Sequence, residues 1–229
     1  MKRFFITVIA LTFLVILGSS VMAEPTVSGP TGLILTPTAD ITTPESAWLG
    51  GSYIDYSSGT FDDTIWSYTL TGGLAENFEV GIAGFYHTDA DDGFGINAKY
   101  QVMAENLQMP AVSFGINYND LGGERMTQFY AVASKYIQSD DESTNQAFGI
   151  HGGIAWVDAD WVDEDFNYWG AVDFNITEEI IGIAEYISTY GANDEEAFTF
   201  GVRYYANDQW SATAGMIDGD MTIGAAFIF

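Results

Sequence analysis

Few side chains in this sequence can do chemistry, and their scarcity is informative. There are two histidines, His87 and His151, and no cysteine. A hydrolase built on a histidine needs a serine and an acid beside it, or an equivalent nucleophile and base. Neither histidine is flanked by a nucleophile signature, and no Gly-x-Ser-x-Gly elbow occurs. Two histidines with no closely spaced ligand beside them make a poor transition-metal site. The acidic runs at 89–93, 158–165 and 218–220 offer the hard oxygens that calcium takes, yet none completes a twelve-residue loop with its closing Glu. The expectation is a protein that is not an enzyme and holds no metal and no cofactor.

The charged residues say more. Six Lys+Arg stand against 32 Asp+Glu, a formal net charge of −26, which repels nucleic acid and excludes it as a partner. Two of the six bases are Lys2 and Arg3, which leaves Lys99, Arg125, Lys135 and Arg203. A chain this acidic could be disordered, but 48% hydrophobic and 15% aromatic residues give it ample material for a fold. Lys99, Lys135 and Arg203 fall on the polar faces of alternating segments, as do Glu79, Asp173, His87 and His151. Glu185 lies on a segment whose faces are mixed.

The elements that must position these residues are strands. From Ser46 onward, alternating runs of about ten residues follow one another, the length of a tilted strand that crosses a membrane. They fall at 46–56, 64–74, 78–88, 94–102, 110–119, 126–137, 146–157, 166–176, 179–190, 197–206, 210–217 and 221–229. Phe94, Ile96, Ala98 and Tyr100 oppose Gly95, Asn97, Lys99 and Gln101; Val112, Phe114, Ile116 and Tyr118 oppose Ser113, Gly115, Asn117 and Asn119. Where one face is greasy, the other carries small and amide residues. A soluble sandwich would put Lys, Glu and Thr there instead, so the fold expected is an all-β, antiparallel transmembrane β-barrel of about twelve strands. A charge facing lipid at mid-membrane costs roughly 2–4 kcal/mol, so Lys99, Lys135, Arg203, Glu79 and Asp173 are read as an interior cluster whose members satisfy one another and fix the fold, with plugging a lumen or lining a pore as the alternative. Two alternatives compete with this reading: a soluble periplasmic β-sandwich that binds a ligand, and a barrel enzyme acting on lipid.

The ends of the chain agree with a barrel. Residues 1–23 combine a basic start, an apolar run over 4–17 and small residues ending in Ala23, the pattern of a cleaved secretory signal. The last strand alternates Met221, Ile223, Ala225, Phe227 and Phe229 with small residues, suiting a closing strand that faces lipid. A terminal Phe229 resembles the signal that bacterial outer-membrane barrels offer their assembly machinery. The expected location is the outer membrane of a Gram-negative bacterium, with membrane lipid and that machinery as partners. Connections at 75–77, 177–178 and 207–209 read as tight periplasmic turns; those at 57–63, 89–93, 120–125, 158–165, 191–196 and 218–220 read as acidic outer loops. Trp48, Trp66, Trp156, Trp161, Trp169 and Trp210 lie mostly near strand ends and read as interfacial belts.

Residues 24–45 form an arm between the signal and the barrel, which spans 46–229. The arm contains Thr31-Gly32-Leu33-Ile34-Leu35-Thr36-Pro37-Thr38-Ala39-Asp40, whose apolar part is bracketed by Pro30 and Pro37. This stretch, with Gly32, Leu33, Ile34, Pro37, Thr38 and Ala39 as its core, resembles the opening of the YjbH-like family. The resemblance implies an outer-membrane protein associated with exopolysaccharide production, in a short single-barrel version, with polysaccharide as a partner. Whether the arm plugs the barrel or hangs below it is not legible in the residues.

Overall fold

A computed structural model describes residues 24–56, 63–88, 91–121, 123–138, 147–160, 162–190 and 195–229. The signal over 1–23 with its cleavage point, Trp161 and the connections at 57–62 and 191–194 lie outside the described residues. Two short strands, β1 (Glu24–Pro25) and β2 (Thr31–Gly32), pair with each other in the arm. Twelve strands follow: β3 (Ala47–Tyr56), β4 (Asp63–Ala75), β5 (Phe78–His87), β6 (Gly93–Met103), β7 (Ala111–Leu121), β8 (Glu124–Gln138), β9 (Ala147–Ala159), β10 (Val162–Asn175), β11 (Ile180–Tyr190), β12 (Glu195–Asn207), β13 (Trp210–Ile217) and β14 (Asp220–Ile228). Each pairs antiparallel with its neighbours in sequence, and β14 pairs with β3, so the sheet closes into a barrel with no free edge. Phe229 and Ala47 exchange backbone hydrogen bonds of 2.9 and 3.0 Å, which seals the seam to the last residue.

The alternation read from the sequence sets the two faces. Leu70, Ile82, Ile96, Phe114, Phe200 and Ile223 project outward and are exposed. Thr71, Asn97, Lys99, Ser113, Asn117 and Thr199 project inward and are buried. The two mixed strands resolve in the same way. On β3, Trp48 and Ile54 face in; on β11, Ile181, Ile183, Glu185 and Ile187 do. Gly115 opposes Tyr130 and leaves room for its ring, a position where a Cβ would lie about 2.2 Å from the ring carbon.

Three expectations need correction. Trp48 and Trp169 are not belt residues, because both are buried inside the barrel; Trp66 and Trp210 do face outward. Lys135 does not face the lumen. It pairs across the sheet with outward Ile150, between inward Ser134 and Tyr136, and its Nζ reaches Glu105 at 2.9 Å and the carbonyl of Asn106 at 2.5 Å. The expected register took it as inward, but its place at the rim lets the long stem carry the ammonium to a polar turn. Finally, the acidic segments at 120–125 and 158–165 are mostly strand. Asp120 pairs with Arg125 and Leu121 with Glu124, with Gly123 in the turn at φ 94°. A ladder can continue beyond the hydrocarbon, where its side chains no longer need to be apolar.

Candidate functional site

The arm lies inside the barrel. It enters at the rim that carries the chain ends, where Pro44 forms a parallel bridge with Gly73. Glu45 takes a left-handed turn at φ 63° before β3 begins. Within the lumen, the arm folds back on itself through β1 and β2 and through an antiparallel bridge between Gly32 and Pro37. Gly32 makes that fold possible: a Cβ there would sit about 2.2 Å from the carbonyl of Thr36 and 2.7 Å from Pro37 Cα.

The buried charges of the barrel wall hold the arm by its backbone. Lys99 on β6 and Glu79 on β5 are opposite one another in register and form an ion pair of 3.1 Å with both side chains wholly buried. Lys99 Nζ donates to the carbonyls of Thr31 at 2.8 Å and Thr38 at 3.1 Å and also bonds the Thr31 hydroxyl. Glu79 accepts from the amides of Thr31 at 3.0 Å and Thr42 at 2.8 Å. Across the lumen, Arg203 on β12 bonds Glu24 at 2.9 Å and donates to the carbonyls of Gly32 and Leu33. Glu185 on β11 accepts from the amide of Thr36 at 2.8 Å, the amide of Leu35 at 3.1 Å and the hydroxyl of Thr36 at 2.7 Å. Each charge therefore finds a partner or a backbone dipole, as burial in a low dielectric requires.

Neutral groups complete the grip. Gln101 and Ser113 both donate to the carbonyl of Ala39, Trp169 Nε1 donates to that of Pro37, and Thr71 to that of Gly29. Leu33 and Ile34 pack on Ala171, Ile181 and Ile183, and Ala39 packs among Ala111, Tyr130, Val132 and Trp169. The motif residues Gly32, Leu33, Ile34, Pro37, Thr38 and Ala39 and the charges Lys99, Glu79 and Arg203 thus form one site.

Asp173 belongs to the same site through a chain that the sequence reading missed. The amide of Ala39 donates to Ser134 Oγ at 2.8 Å, Ser134 lies 2.8 Å from His151 Nδ1, and His151 Nε2 lies 2.6 Å from Asp173 Oδ1. The expectation of no Ser–His–acid constellation is corrected here. Its members come from β8, β9 and β10, and only cross-strand register joins them; the pairing of Ser134 with His151 is the signal that could have found it. The arrangement differs from a hydrolytic one in a decisive respect. While the arm is docked, Ser134 is fully buried beneath it and its oxygen accepts the Ala39 amide, so no carbonyl carbon reaches it in this state. His87 is buried on β5 as expected, near the opposite end from the rim where the arm enters.

This geometry defines a closed, twelve-strand antiparallel β-barrel, a fold shared with solved outer-membrane porins. Among solved structures, the chain is similar to the KdgM porin, with a TM-score of 0.60 and 12% identity over 80% of this chain and 99% of that one. That porin has also been solved in complex with disordered oligogalacturonate. Omp33 of Acinetobacter baumannii gives a TM-score of 0.56 and 13% identity, covering 80% of this chain and 98% of that one. The NanC porin gives 0.55 and 12%, covering 79% and 98%. No family model matches the chain, and no curated protein matches it.

Proposed function

We propose that this protein is a non-enzymatic outer-membrane channel that its own N-terminal arm holds shut, and that opens when the arm withdraws. The observation that carries this reading is the placement of the buried charges. Lys99, Glu79, Arg203 and Glu185 spend their hydrogen bonds on the backbone of 31–42, so the interior is organised to hold a removable segment. A barrel that needed only internal neutralisation could stop at pairs such as Lys99–Glu79 without turning the same groups to the backbone of the arm.

The lumen also bears on what passes. Among the described residues, the buried charges are Lys99 and Arg203 against Glu24, Glu79, Asp173, Glu185 and Asp220. A negative interior disfavours polyanions and favours cations or neutral polar solutes. Neutral saccharide suits this chemistry and fits the exopolysaccharide link implied by the resemblance over 31–40. An acidic oligosaccharide, such as the ligand named for the KdgM complex, does not.

Planar-bilayer recording tests the reading. The intact protein should be silent, and the chain lacking 24–40 should show discrete, cation-selective openings. A barrel that stays folded without the arm and still passes no current is instead a closed surface scaffold.

A further inference from the structure

We infer that maturation completes the plug: cleavage after Ala23 leaves the new α-ammonium of Glu24 enclosed in the barrel, beside its own carboxylate, one oxygen of which makes no hydrogen bond among the described residues. Two structural observations carry this. Glu24 is buried, with one carboxylate oxygen on Arg203 Nε at 2.9 Å and the other, Oε1, without a geometrically formed hydrogen bond among the described residues, although the Ser211 hydroxyl lies close to the same carboxyl. Beside it, between the arm and the wall of β3, β12, β13 and β14, is a cavity whose polar lining is Glu24, Ser52, Arg203, Thr213 and Thr222 and whose other lining residues are apolar or small. A buried carboxylate oxygen left unsatisfied is costly, and an ammonium brings three donors and a positive charge. The charge balance points the same way, since the buried acids outnumber Lys99 and Arg203.

The chemistry is ordinary hydrolysis by a leader peptidase. Water adds to the Ala23 carbonyl, the Ala23–Glu24 peptide bond breaks, the new carboxylate leaves with the leader, and the Glu24 nitrogen takes up protons. The backbone of Glu24 is held beside Gly32 in the β1–β2 pair, so the amine has a fixed position as soon as the arm docks. Even one additional residue would move it by about 3.5 Å. The inference stands on the docked arm and not on whether the barrel conducts.

Amine labelling of the folded protein, extracted in detergent from outer membranes, tests it. The N-terminal peptide should begin at Glu24, and its amine should react at least tenfold more slowly than Lys135 until the sample is boiled. A different first residue, or an amine that reacts as fast as Lys135 in the folded barrel, overturns the inference. A second measurement uses the chain with one Gly inserted before Glu24. The insertion should lower the unfolding midpoint of the natural chain and leave that of the Glu24→Gln chain unchanged. An equal effect in both chains, or none in either, also overturns it. Neither readout involves current, so a failed channel hypothesis would leave both results interpretable.

Discussion

Lys99 has two tasks, since it neutralises Glu79 and grips the arm at Thr31 and Thr38. Removing one partner of a buried pair costs about 3–5 kcal/mol where the survivor stays dry. Here the arm can leave and admit water to Glu79, so Lys99→Ala should show its loss as arm release. The expected outcome is new openings in planar bilayers while the unboiled band of the folded barrel persists on a gel; a silent chain that loses that band would make Lys99 purely a folding residue. Ser134→Ala removes the acceptor of the Ala39 amide and the partner of His151, a loss of roughly 1–3 kcal/mol that a lowered denaturation midpoint should report. If Ser134 were a working nucleophile, a fluorophosphonate would label it in the intact protein. The geometry predicts no label, because the arm covers the oxygen.

At the scale of elements, the strands were legible because lipid enforces alternation so strictly. Phe94 to Gln101 and Val112 to Asn119 read correctly residue by residue, and about twelve barrel strands were expected where the described residues form twelve. The inward places of Lys99, Glu79, Arg203 and Asp173 followed from the same rule, whereas the mixed faces of its strand left that of Glu185 open. Lys135 escaped it because a rim residue can reach a polar turn from the outer face. Trp48 and Trp169 escaped it because position near a strand end does not say which face a ring takes. The docking of the arm could not be read, since partners such as Arg203, 171 positions from Gly32, lie far away in sequence and meet it only after the barrel closes. Its own fold is nevertheless encoded in Gly32. Gly32→Ala forces a Cβ against the carbonyl of Thr36, so the bridge to Pro37 should fail and the arm undock. A protease added to the folded protein should then cut within 31–40 in the variant and leave the natural arm intact.

For the whole molecule, the closed hydrogen-bonded cylinder and the plug inside it are separable. Closure through β14 and β3 involves no arm residue, so a chain beginning at 41 should still show heat-modifiable mobility in detergent. Its wall retains Lys99 and Arg203 against Glu79, Asp173, Glu185 and Asp220, so its reversal potential in a salt gradient should move toward the cation's equilibrium value. An anion preference would contradict the charge reading while leaving the plug intact.

The bridge between Pro44 and Gly73 pins the arm to the rim just before β3. If that bridge holds while the cork comes out, the freed segment cannot diffuse away. The link over 41–43 reaches roughly 10 Å at full stretch, which keeps the loose end near its seat at an effective concentration in the millimolar range or above. Resealing is then a first-order event, independent of how many copies share the membrane. A synthetic peptide copying 24–44 would have to approach the same millimolar level before it could block a truncated barrel from outside.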